Sequence, residues 1–274
     1  LYKKDFQKIC SFSDGFTFHP MPKPDFNFCD TYYSMCDDER YLINKNGGKI
    51  KRSLNVGIIR AIKNNDKNLS KNLKYKIKNF NKVVTVCTFQ GDETDRTKIN
   101  KSLLGKSICE ILNHFLNEIF LVSQNNPNII FLIKEKKGEL DFVSPKIIDF
   151  LYKSKNIFII KCKHPADLNE NTFSDLLDIT DVTISAALNS TTIFETLKND
   201  KNVLIYKHVK FRTPWDKYDE IYYKEGELDK KLSFLLNLTD TQKLNLISKI
   251  SSNFNLNFDS IQLMLKDINK QLNN

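Results

Sequence analysis

The sequence predicts an α/β protein: a doubly wound parallel-sheet domain, preceded by part of a second α/β domain and followed by helices. Three observations carry this. From about residue 83, short runs that are apolar on both faces alternate with stretches of helical periodicity. The runs are separated by helix-length segments rather than tight turns, which is the order of βαβ units. The 274 residues, 41% hydrophobic and 11% aromatic, suffice for one large domain or for one domain plus part of another. The same composition excludes an intrinsically disordered chain.

In chain order, residues 11–30 are rich in Pro, Phe and Asp, with Pro20, Pro22 and Pro24, and read as irregular loop. Residues 30–34 are expected as a strand and 37–45 as a helix stopped by Gly47-Gly48. Residues 54–58 are expected as a strand running to Gly57, with Arg60 beyond. Residues 61–82 hold seven lysines and little apolar content, and read as a solvated connection. Beyond it, 83–88 is an apolar, β-branched strand. Residues 99–122 place Leu103, Leu104, Ile108, Ile111, Leu112, Phe115 and Ile119 at helical spacing.

The alternation continues with a strand at 128–133, a helix at 145–152 and a strand at 156–160. A short helix at 172–179, a strand at 182–185, a helix at 192–197 and a strand at 203–206 follow. Residues 227–236, 239–252 and 256–272 are amphipathic helices. The expected division is 1–62 as a partial N-terminal domain, 63–82 as a basic linker, 83–236 as the doubly wound domain and 237–274 as C-terminal helices. Ligands of such a domain bind beyond the carboxyl ends of its strands.

Charge and cysteine usage narrow the function classes. Forty-two Lys and Arg against 33 Asp and Glu give a net charge of +9, but 37 of the cations are Lys and 5 are Arg, beside 30 Asn. That skew matches AT-rich coding. A nucleic-acid surface would favour Arg for bidentate contacts, so no nucleic-acid partner is expected. A basic surface still suits anionic lipid, at the periphery of the inner face of a cell membrane, or a phosphorylated ligand. No apolar run approaches the ~18 residues of a membrane span. The chain opens at Leu1 without a charged-then-apolar leader, so no signal peptide is expected, and a shortened N-terminus is. Cys10, Cys29, Cys36, Cys87, Cys109 and Cys162 form no metal or redox pair, which fits a reducing cytoplasm, and the four histidines are dispersed.

The most informative stretch is 175–206. It reads as a short helix, a strand, a loop of small polar residues and a new helix opening at Ser190-Thr191-Thr192. Hydroxyls and unpaired backbone N–H groups at a helix N-terminus hold an anion. Glu195, one turn inside, suits a carboxylate that accepts from two ribose hydroxyls. Thr192-x-x-Glu195 also spells a capping box, which needs no ligand. Local physics leaves both readings open.

The order of segments resembles the GT-B glycosyltransferases, above all those that build bacterial surface polysaccharides such as capsule and other cell-envelope glycans. The matching residues are Thr180-Asp181-Val182-Thr183-Ile184-Ser185, Asn189-Ser190-Thr191-Thr192, Glu195-Thr196-Leu197 and Asn202-Val203-Leu204-Ile205. Asp200-Lys201-Asn202 departs from the family's Gly-Lys-Pro. Cys29-Asp30-Thr31-Tyr32-Tyr33, Gly47-Gly48 and Leu54-Asn55-Val56-Gly57-Ile58-Ile59-Arg60 resemble the end of the family's N-terminal, acceptor-side domain. Phe131-Leu132-Ile133-Lys134-Glu135-Lys136-Lys137 resembles the strand and loop after the second C-domain strand. The resemblance covers roughly residues 10–236.

The resemblance implies that Ser190, Thr191 and Thr192 hold the pyrophosphate of a nucleotide-sugar and Glu195 its ribose. Lys134, Lys136 and Lys137 sit where donor phosphates would be neutralised, so neither metal nor cofactor is expected. Gly91 and Arg96, in the loop after the first C-domain strand, suit close backbone approach and a phosphate or acceptor contact. Asp14 and His19 are the candidate catalytic bases. His164-Pro165 resembles a motif of some relatives but also reads as a plain turn. The implied activity is sugar transfer from a nucleotide-activated donor to a surface glycan or lipid-linked acceptor. A glycerophosphotransferase, a nucleotide-sugar 2-epimerase and a non-catalytic binding module are the alternatives.

Overall fold

A computed structural model describes residues 10–12, 28–36, 38–39, 41, 49–57, 69–88, 106–135, 138–161, 171–188, 190–209, 213–256 and 259–272. The chain forms two compact units. The first comprises Leu1–Ile62, Asn189–Lys198 and Leu244–Asn274, and the second Lys63–Leu188 and Asn199–Lys243.

In the first unit, β1 (Cys10–Phe12), β2 (Phe28–Ser34) and β3 (Lys49–Asn55) form a parallel sheet in that order. The strand expected at 54–58 thus lies earlier and stops at Asn55. Gly57 adopts φ +78°, and a Cβ there would meet the Phe254 carbonyl oxygen at 2.7 Å. The chain is pinned at this point: the Asn255 carboxamide donates to the Asn55 carbonyl at 2.7 Å, and Gly57 N–H donates to Asn55 Oδ1 at 3.2 Å.

Helix α8 (Ser260–Leu272) is locked to β2 and β3 through Asp267. Its carboxylate takes both Arg52 guanidinium nitrogens, at 2.7 and 2.5 Å, the Tyr33 hydroxyl at 3.1 Å and the Gln271 amide at 2.6 Å. Tyr33 is 1% exposed and Asp267 8%, so the hydroxyl and the carboxylate need their partners, while Arg52 reaches the carboxylate from the surface.

The second unit is a six-stranded, wholly parallel sheet. Its strands are β4 (Lys82–Cys87), β5 (Ile129–Lys134), β6 (Ile157–Ile160), β7 (Val182–Ser185), β8 (Asn202–Tyr206) and β9 (Tyr222–Tyr223). Their spatial order, β6-β5-β4-β7-β8-β9, is the doubly wound arrangement, with its switch point between β4 and β7. Strands β7 and β8 are buried along their whole length, as a sheet covered on both faces requires.

Helix α1 (Lys71–Ile77) lies inside the stretch expected as a linker. Leu73 explains it: fully buried, it packs with Val83, Ile130, Leu132, Ile160 and Leu176 while the lysines face outward. Helix α2 (Ile108–Asn125) starts later than the expected residue 99, because Ser107 and Glu110 form a reciprocal capping box. Residues 99–105 lie outside the described ones. Helices α3 (Pro145–Lys153), α4 (Phe173–Leu177) and α6 (Leu228–Leu236) complete the layers. Helix α5 (Thr191–Lys198) belongs to the first unit, and α7 (Asp240–Asn253) spans the boundary between the two. Among the described residues, no helix is long and apolar enough to cross a membrane.

Candidate functional site

Helix α5 collects the hydroxyls that the sequence singled out. Ser190 Oγ and Thr192 Oγ1 are 2.8 Å apart, and the Thr192 N–H points to Ser190 Oγ at 3.4 Å. Ile193 N–H donates to the Ser190 carbonyl at 3.2 Å, so the first turn begins at Ser190. Behind it, Ile193, Phe194 and Leu197 are buried, and the Phe194 ring meets Phe254 edge-on at 5.2 Å. The apolar face thus anchors the helix, while Ser190, Thr191 and Thr192 stay half-exposed.

Glu195 lies one turn further on. Burial pushes its carboxyl up to about 7, and a hydrogen bond from the Thr191 hydroxyl pulls the other way. Because the helix starts at Thr191, Thr192 sits inside it and is not its N-cap. The Thr192–Glu195 capping box therefore does not form. What α5 offers is an N-terminus carrying three hydroxyls with a carboxyl one turn behind, the donor and acceptor set for a phosphate beside a diol.

In the second unit, Lys134 ends β5. In register it stands opposite Cys87 of β4, which stands opposite Ser185 of β7. Lys134, Cys87 and Ser185 thus form a row along the carboxyl ends of the three central strands, half-buried at Lys134 and buried at the other two. Ser185 Oγ donates to the Ala187 carbonyl at 3.0 Å, and the wholly buried Trp215 donates its indole N–H to the Leu188 carbonyl at 2.8 Å. These bonds fix the turn that leaves β7.

Glu135, which sequence reasoning passed over, is 4% exposed and accepts the Leu140 N–H at 3.4 Å. It organises the turn after β5. Its neighbours Lys134, Lys136 and Lys137 hid it within a charged run that reads as solvated. Asp14, His19, Gly91, Arg96, Lys136, Lys137, His164 and Asn189 lie outside the described residues. Among the described residues, no group of three His, Cys, Asp or Glu is placed to hold a metal ion.

No family model matches the sequence, and no curated protein matches it. Solved structures do. The chain is similar to a glycosyltransferase from Rickettsia africae ESF-5, with a TM-score of 0.57 and 13% identity over 97% of this chain and 71% of that one. It is similar to S. aureus MnaA in complex with UDP, with a TM-score of 0.56 and 14% identity over 89% of this chain and 60% of that one. It is also similar to a Listeria monocytogenes protein assigned as a UDP-N-acetylglucosamine 2-epimerase, with a TM-score of 0.55 and 10% identity over 86% and 58%. At these identities the likeness is one of fold, and the fold is GT-B-like. The chain spans about three fifths of the length of the last two proteins.

Proposed function

We propose that this chain binds a nucleotide-sugar and acts as a glycosyltransferase, moving the sugar to a hydroxyl of a surface glycan or lipid-linked acceptor. The observation that carries the reading is helix α5. Three hydroxyls stand at its N-terminus with Glu195 one turn behind, in the stretch of chain that comes after β7. In this proposal Ser190, Thr191, Thr192 and the helix N-terminus take the pyrophosphate, and Glu195 takes the ribose diol.

As the sugar leaves, negative charge grows on the nucleotide. Preorganised donors stabilise that charge more strongly than they stabilise the bound donor. Lys134, Gly91 and Arg96 are assigned to the donor, and Asp14 or His19 to deprotonation of the acceptor hydroxyl. The likeness to a protein assigned as an epimerase favours one rival: a nucleotide-sugar 2-epimerase, which would convert donor without an acceptor.

The test is a calorimetric titration with UDP, CDP, GDP and CMP. We expect one nucleotide to bind selectively, and expect Glu195→Ala and a combined Ser190, Thr191 and Thr192→Ala variant each to weaken it about tenfold or more. If no nucleotide binds, or if both variants bind like the parent, the proposal fails. Consumption of a nucleotide-sugar with no acceptor present would instead select the epimerase.

A further inference from the structure

We propose that the second unit carries a saccharide-binding cleft, distinct in residues and in charge from the phosphate-and-diol site on α5. The cleft is shallow and open to solvent, measures about 610 Å3 and lies between the first turns of α2 and residues 141–145 that lead into α3. Both helices follow strands of one parallel sheet, so their N-termini stand at the carboxyl edge, where open α/β sheets receive ligands.

The lining fits a sugar ring. Phe142, on the wall, is 40% exposed and offers an aromatic face to the C–H side of a pyranose. The exposed Asp141 carboxylate can accept from two adjacent hydroxyls. Ser144 occupies the N-cap position of α3, yet its side chain makes no capping bond, so its hydroxyl is not spent on the helix. Its backbone N–H is fixed by Asn113 Oδ1 at 2.7 Å. His114 also lines the cleft, and Glu225 engages its Nδ1 at 2.9 Å, which sets the ring orientation. These contacts hold the wall before any ligand arrives, which lowers the entropic cost of binding.

Charge separates this cleft from a nucleotide site. Glu110 and Asp141 both line it, in a chain whose net charge is +9. Glu110 already accepts the Ser107 N–H at 2.5 Å in the α2 capping box, so its charge offsets the positive helix N-terminus there, and Asp141 is the carboxylate that suits the hydroxyls of an uncharged hexose or N-acetylhexosamine. The natural occupant by this chemistry is a sugar residue of a glycan. The inference does not rest on the proposed function: a cleft of this kind stands whether or not α5 binds nucleotide.

Saturation-transfer NMR and calorimetry with N-acetylglucosamine, galactose, chitotriose and maltotriose test it. We expect at least one of these sugars to bind, with transfer strongest to its C–H face. Phe142→Ala and Asp141→Asn should each weaken binding about fivefold or more, the scale of one stacked ring or one net hydrogen bond. Both positions are exposed, so both variants should melt within about 2 °C of the parent. Glu195→Ala should leave saccharide binding unchanged, which separates failure of this cleft from failure of the donor site. No binding by any of the four sugars, or binding that both cleft variants leave within twofold, overturns the proposal.

Discussion

Glu195 and Asp267 are carboxylates with opposite histories. Burial holds Glu195 up to about 7, above its ordinary 4.5. Its native form therefore binds a proton more tightly than the unfolded chain does, and the stability it contributes is full below about 4.5 and lost as pH rises through about 7. We expect Glu195→Gln to be more stable than the parent at about pH 8, by about 1–3 kcal/mol, and nearly equal to it at about pH 4. Urea unfolding at both values checks this; a parent whose stability does not fall across that window contradicts it. For Asp267 the Arg52 guanidinium leads, burial opposes it, and Gln271 and Tyr33 add to Arg52, so the carboxyl is held down at about 2. Its contribution is present above its ordinary 3.8 and disappears as pH falls through about 2. Asp267→Asn should cost about 1–3 kcal/mol at neutral pH, less than a fully buried pair because Arg52 is half-exposed, and the gap should close in acid.

At the scale of elements, what the sequence disclosed depended on how local the cause was. Strand β7 was legible because Val182, Thr183 and Ile184 are three β-branched residues in a row, opened by the polar Asp181. The hydroxyl-and-carboxyl set of α5 was legible for the same reason: its residues lie within six positions of one another. Helix α1 was hidden because its apolar stripe, Leu69, Leu73, Ile77 and Phe80, is thin and only Leu73 is fully buried, so the surrounding lysines set the character of the stretch. Strand β3 was misplaced because exposed Lys51 and Arg52 interrupt its apolar pattern, and Arg52 is explained only by Asp267 far along the chain. The start of α2 was overrun because apolar spacing continues upstream of the capping box that begins it. Ser107→Ala should accordingly cost about 1 kcal/mol in thermal or urea unfolding. Gly57→Ala should cost more, about 2 kcal/mol or above, since its φ is positive and the Phe254 carbonyl oxygen fills the space a Cβ needs. A Gly57→Ala variant that melts with the parent would remove that contact from the account.

For the molecule as a whole, the +9 charge is carried almost entirely by lysines spread along the sequence, from which we expect no sequence-reading nucleic-acid surface. A 20-base-pair duplex at about 150 mM salt should bind no more tightly than nonspecific contacts allow, roughly 10⁻⁴–10⁻⁶ M, as a fluorescence-anisotropy titration would show. Nanomolar, sequence-dependent binding would contradict it. The division into units was less accessible to sequence, because the first unit is assembled from three separated stretches of chain. That discontinuity has a consequence for synthesis. Arg52 and Asp267 lie 215 residues apart. At about 5–20 residues per second, a ribosome makes Arg52 roughly 10–40 s before its carboxylate partner exists. Throughout that interval β2 and β3 can pair with each other but cannot be closed over by α8, and Tyr33 waits without its acceptor. In the second unit the corresponding waits are about half as long: Lys82 and Asp181 lie 99 residues apart, and Glu118 and Leu228 lie 110. The nascent first unit is thus where a holding chaperone would have the longest time to engage this chain.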